Sequence, residues 1–178
     1  AVAEVRTALP ALRETIDFAD WSDFLTVGDA AGTLPTLDPD DAVQIQYTSG
    51  TTGFPKGALL HHKGITNNAR FMAQRWRMRS GSILVSPLPQ FHTSGCVAAT
   101  LSPPQLLATL VLVPQFDPGL VLELVESEQA DLLAAVPTML VGIDEHPDFR
   151  TRNLTSLRAV LAGGAIVPGE LVRRYEEV

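Results

Sequence analysis

Between Lys63 and Trp76 the apolar residues fall at helical spacing (Ile65, Ala69, Met72, Ala73, Trp76), which predicts an amphipathic helix. A second one starts at Pro118 and runs to about Gln129, where Val121, Leu122 and Val125 interleave with Glu123, Glu126 and Glu128. Shorter helices are read at Trp21–Leu25 (with Asp20 or Ser22 near its cap), Cys96–Leu101, Thr138–Glu145 and Pro168–Glu177. Pro103-Pro104 is expected to stop the Cys96–Leu101 helix, because proline lacks an N–H and clashes with the preceding turn. Between them lie short apolar or β-branched runs that read as strands: Val43–Tyr47, Ala58–His61, Ser82–Ser86, Thr109–Val113, Leu132–Val136 and Leu157–Leu161. Thr109–Val113 reads as a buried strand. Strands alternating with helices give an α/β fold class with a largely parallel sheet. Leu37-Asp38-Pro39-Asp40-Asp41 reads as a linker and turn, dividing a segment over residues 1–40 from a main body over residues 41–178.

The chain has 178 residues, 46% of them hydrophobic, enough for one domain with a real core. Its net charge of −7 offers no basic footprint for nucleic acid, and no basic amphipathic helix suggests a membrane surface. The longest apolar run, Leu106–Val113, is interrupted by Thr109 and is too short to span a bilayer. Ala1–Ala8 carries Glu4 and Arg6 and does not read as a secretory signal. One cysteine, Cys96, rules out an internal disulfide and fits a reducing compartment, so a cytoplasmic location is expected.

The densest chemistry lies in Tyr47-Thr48-Ser49-Gly50-Thr51-Thr52-Gly53-Phe54-Pro55-Lys56-Gly57, which holds four aliphatic hydroxyls, three glycines and one lysine directly after a strand. Successive amides exposed by small residues form an anion-binding concavity, hydroxyls add donors, and the lysine adds a cation. A nucleotide loop of the P-loop type is excluded by spacing. There the lysine follows glycine and precedes a magnesium-binding hydroxyl, whereas Lys56 follows Pro55 and precedes Gly57. Pro55 also biases Phe54 away from helical dihedrals. A Ser/Thr/Gly cluster alone is ordinarily a turn, and a lone lysine a solvated one; their combination favours phosphate contact.

This run resembles the phosphate-binding loop of the adenylate-forming superfamily, which includes acyl-CoA synthetases, luciferases and peptide-synthetase adenylation domains. Pro87-Leu88-Pro89-Gln90-Phe91-His92-Thr93-Ser94-Gly95 resembles the family's Pro-Leu-Phe-His-x-x-Gly segment. Val136-Pro137-Thr138 is similar to its Val-Pro-Thr stretch, and Gly163-Gly164-Ala165 to its Gly-Gly-Ala loop. The histidine-bearing variant points to the acyl-CoA synthetase, or fatty-acid–CoA ligase, type. Residues 41–178 would then be part of the large N-terminal AMP-binding domain.

The resemblance implies ATP-dependent activation of a carboxylic acid, a fatty acid by preference, to an acyl-adenylate, then transfer to coenzyme A, with Mg2+ as the metal. Thr48, Ser49, Thr51 and Thr52 would donate to the phosphates, while Gly50, Gly53 and Gly57 permit the turn and close approach. Lys56 would neutralise the leaving pyrophosphate. His92 would bond the substrate carboxylate or gate the two sites. Gly163, Gly164 and Ala165 would border the adenine and acyl pocket or form an ordinary strand–helix turn, and Thr138 would face that pocket or cap a helix. His61 and His62 read as structural, His146 as surface, and Cys96 as a small buried hydrophobe.

The family's magnesium-holding glutamate, ribose-binding aspartate, hinge and C-terminal lid domain with its catalytic lysine have no counterpart among these residues, so no metal ligand is assigned. We therefore expect a fragment that is inactive alone and, with apolar surface uncovered, prone to self-association. Two alternatives remain: a non-catalytic nucleotide-binding remnant, and an aryl- or amino-acid-adenylating enzyme that loads a carrier protein. The run Leu101–Leu107, with its two prolines, departs from the family pattern beside the acyl pocket.

Overall fold

The computed structural model describes residues 2–28, 32–48 and 53–177. The chain divides into two compact units, residues 1–37 and 38–178. The first carries α1 (Val2–Val5) and α2 (Trp21–Thr26), each adjoined by a 3-10 turn. Aromatic residues three apart share one side of a helical turn, so Trp21 stacks between Phe18 and Phe24, with centroids at 6.2 and 5.5 Å. The helix has no side-chain bond at its Asp20 cap; instead Asp17 accepts from the Ala19 N–H at 2.9 Å, one turn earlier.

The second unit opens with an aspartate turn, in which the Asp38 N–H donates to the Asp41 carboxylate at 2.8 Å. An antiparallel hairpin follows, of β1 (Ala42–Thr48) and β2 (Lys56–His61), with Thr48 opposite Lys56 and Tyr47 opposite Gly57. His61 then caps α3 (His62–Arg75): its Nδ1 accepts from the Gly64 N–H at 2.9 Å.

The main sheet is parallel throughout. It comprises β3 (Ile83–Ser86), β4 (Thr109–Leu112), β5 (Leu132–Ala135) and β6 (Ala159–Ala162), in the order β4-β3-β5-β6. Along β5 the side chains alternate between two cores, as a strand requires. Leu133 and Ala135 enter one with Val85 and with residues of α4 (Pro118–Ser127), α5 (Pro137–Asp144) and α6 (Gly169–Glu176). Leu132 and Ala134 enter the other with Leu84, Ala73 of α3, and Ala99 of a π-helical turn at Ser94–Ala99. The sheet is therefore covered on both faces, as parallel sheets are.

Strands and helices lie where the pattern predicts them, with three departures. β4 is an edge strand with Leu112 45% exposed rather than a buried one, because it pairs on one side only. The two prolines end the preceding helical stretch as expected, but they also begin a separate 3-10 turn, Pro103–Leu106, where the missing N–H costs nothing. The last strand starts at Ala159, two residues later than its apolar run. Among the described residues no helix is long and apolar enough to cross a membrane.

Candidate active site

In open α/β sheets, ligands bind beyond the carboxyl ends of strands, at the point where successive connections leave in opposite directions. That point lies between β3 and β5. The chain leaving β3 turns to the α3 face through the π-helical turn, and the chain leaving β5 turns to the other face as α5. A cavity of about 850 Å³ opens here, bordered by His92 and Ser94 after β3, Thr138 after β5, and Gly163, Gly164 and Ala165 after β6. Met72, Trp76, Leu88 and Ala134 make its wall largely apolar, and among the described residues that line it Arg75 alone is fully charged.

His92 is held by its own backbone turn. Its N–H donates to the Pro89 carbonyl at 3.1 Å, and its carbonyl accepts from the Gly95 and Cys96 N–H groups at 2.9 and 3.0 Å. The ring is fixed as well, because Nδ1 accepts from the Ser94 N–H at 3.1 Å. A backbone amide can only donate, so Nδ1 carries the lone pair and the neutral ring holds its proton on Nε2. The ring thus offers a donor. Gly95 makes the turn possible: a Cβ there would lie 2.2 Å from the Pro89 carbonyl oxygen, a distance no side chain tolerates.

Gly164 has φ +87°, which favours glycine, and a Cβ at Gly163 would meet nothing within 4 Å. That leaves open backbone beside the cavity. Thr138 lines the cavity, and the α5 N-terminus has no side-chain cap.

The hairpin contributes separately. Thr48, Gly53, Lys56 and Gly57 are exposed and do not line this cavity. Ser49, Gly50, Thr51 and Thr52 lie outside the described residues. Gly53 has φ +86°, and Lys56 has no ion-pair partner among the described residues. Gly57 lies so close to Ile45 that a Cβ would approach its Cγ2 to 2.9 Å.

Two residues that sequence reasoning passed over join hairpin and cavity. Gln46 Nε2 donates to the Phe91 carbonyl at 3.1 Å, and Gln44 Nε2 lies 3.3 Å from Cys96 Sγ and 3.0 Å from Gln46 Oε1. The hairpin is inverted relative to the usual rule. Gln44 and Gln46 are half-buried, while Ile45 and Tyr47 are 61% and 68% exposed. The alternation of glutamine with Val43, Ile45 and Tyr47 was the available signal, but it does not say which face turns inward. Cys96 is accordingly half-buried and hydrogen-bonded rather than an inert core residue. His146 is half-buried too, its Nδ1 accepting from the Asp148 N–H at 3.2 Å.

Among the described residues no three His, Cys, Asp or Glu side chains gather as a metal would need.

The family model described as "AMP-binding enzyme" matches residues 2–178. The chain is 40% identical over 144 residues to a putative acyl-CoA synthetase, YngI, of Bacillus subtilis, covering 81% of this chain and 26% of that protein. It is 41% identical over 138 residues to a feruloyl-CoA synthase of Amycolatopsis, covering 76% and 28% respectively. Among solved structures, the inhibitor-bound N-terminal domain of FACL13 from Mycobacterium tuberculosis superposes with a TM-score of 0.82 at 28% identity, over 99% of this chain and 46% of that one. ATP-bound MatB from Rhodopseudomonas palustris gives 0.78 at 28%, over 88% and 31%. The chain thus spans about a quarter of the length of the curated relatives it matches.

Proposed function

The chain belongs to the AMP-binding enzyme family, and from that premise we propose that its parent protein is an AMP-forming acid–thiol ligase, with this chain supplying the phosphate hairpin and the acid pocket. The observation that carries this reading is His92, its proton set on Nε2 by Ser94, at the mouth of a largely apolar cavity of about 850 Å³. Such a cavity suits the tail of a carboxylic acid, and an Nε2–H donor at its mouth suits the carboxylate.

In the first step a carboxylate oxygen attacks the α-phosphorus of ATP, the bond to the β-phosphate bridging oxygen breaks, and pyrophosphate leaves. In the second, the sulfur of coenzyme A attacks the acyl carbon and AMP departs. The residues of this chain act by placement and charge. Thr48 with Ser49, Thr51 and Thr52 donates to the β- and γ-phosphates, Gly50, Gly53 and Gly57 allow their approach, and Lys56 offsets the charge that builds on pyrophosphate. His92 orients the carboxylate, and Gly163, Gly164 and Ala165 present open backbone to a flat group. When bound, magnesium would supply charge neutralisation on the phosphates; among the described residues no three carboxylate, imidazole or thiolate side chains gather to hold it.

The preferred acid is apolar, a fatty or aryl-substituted one, because the wall is built from Met72, Trp76, Leu88 and Ala134. The test is acid-dependent ATP–pyrophosphate exchange by the parent protein across a panel of acids. Full exchange after Thr48→Val and Lys56→Met are combined would overturn the assignment.

A further inference from the structure

We propose that Gln46 is a positioning residue that couples occupancy of the phosphate hairpin to the orientation of His92. The inference rests on the reading of the hairpin given above.

Three observations carry it. Gln46 Nε2 donates to the carbonyl of Phe91, the residue immediately before His92, across 45 positions of sequence. Gln44 buttresses that amide, its Nε2 donating to Gln46 Oε1 at 3.0 Å and approaching Cys96 Sγ at 3.3 Å. Cys96 lies in the turn whose N–H groups hold the His92 carbonyl. The two glutamines therefore grip both ends of the segment that fixes the imidazole. They also lie on β1, two and four residues before Thr48, at the strand end that opens toward Lys56. A strand is stiff along its length, so a displacement where the phosphates bind is passed to Phe91 by way of one side-chain amide.

The inward placement of this polar pair strengthens the case. With Ile45 and Tyr47 left exposed, the hairpin gains little from burying apolar surface here. Hydrogen bonds define how it sits on the His92 segment, and these are directional where apolar packing is not.

The test is a titration of the 178-residue chain with inorganic pyrophosphate, with binding followed by calorimetry and the imidazole of His92 by its ring carbon–proton resonance. In the native chain the His92 ring signal and the Gln46 side-chain amide signals are expected to move along the binding curve. Gln46→Met removes the donor at similar volume. This variant is expected to keep pyrophosphate affinity within about threefold while losing more than about half of the His92 shift, since a coupling term is lost but the binding groups are not. A merely structural Gln46 would leave the His92 response at its native size in any variant that still binds. If the variant fails to fold, the native titration decides: a Gln46 amide that stays still while pyrophosphate binds overturns the proposal. Binding without a His92 response overturns it too and leaves the ligase reading intact. Absence of pyrophosphate binding overturns both.

Discussion

Asp131 at the foot of β5 accepts a 2.7 Å hydrogen bond from the N–H of Ile83, the first residue of β3. The same carboxylate accepts from Ser82 Oγ and from Arg158 Nη2, each at 3.0 Å, so one side chain ties the amino ends of β3 and β5 to the residue preceding β6. The tie lies at the opposite end of the sheet from His92, Thr138 and Gly163. Order is set at one end and chemistry is exposed at the other.

Removing that tie should be costly. Asp131→Ala leaves the Ile83 N–H and the Arg158 guanidinium short of a partner, and a loss of about 1–3 kcal/mol is expected. Urea denaturation gives the value; a change below a few tenths would mean solvent replaces the carboxylate freely.

Stability should also fall in acid. Burial opposes the charge on Asp131, but the Ile83 amide, the Arg158 guanidinium and the Ser82 hydroxyl together hold its carboxyl below the ordinary value. Glu126 is lowered too, first by the Asn153 amide and then by Arg152. Both groups bind protons more weakly folded than unfolded. Their contribution is present above the unfolded pKa of about 4 and is lost as pH drops through the folded values. Denaturation midpoints across that range should decline, and less steeply in Asp131→Asn with Glu126→Gln.

Gly95→Ala should disorganise the turn that holds His92, because the new methyl collides with the Pro89 carbonyl. Overpacking of this kind costs about 1–3 kcal/mol. Thermal unfolding measures that cost, and the His92 ring signal of the folded fraction should move as well. An unchanged ring signal would separate the glycine from the site.

On the proposed reading, His92→Ala in the parent protein removes one donor from the acid pocket. Loss of a single preplaced donor lowers turnover by about 10²–10³-fold in comparable cases, and adenylate formation should fall by a similar order. Pyrophosphate exchange is the direct assay, and a variant within about twofold of native would take His92 out of the reaction.

Lys56→Met should weaken ATP binding about tenfold or more, and less so at high salt, since an exposed ammonium acts through screened charge. Calorimetric titration at two ionic strengths checks both statements.

Much of this protein was legible in its residues alone. Helical spacing over Ile65–Trp76 and Val121–Val125, short β-branched runs, and a glycine–hydroxyl–lysine cluster are local patterns; the forces that make them are local too. They placed the helices and strands of the α/β sheet, whereas His92 and Gly163–Ala165 became candidates through the resemblance of their segments to those of the adenylate-forming superfamily. Which strands neighbour one another was decided only in three dimensions. The order β4-β3-β5-β6 follows from how two cores close on opposite faces of β5, and that order brings His92, Thr138 and Gly163 to one cavity. The grip of Gln46 on Phe91 was hidden for the same reason. Alternation along β1 marks two faces, but only the segment packed against the strand determines that the polar one turns inward.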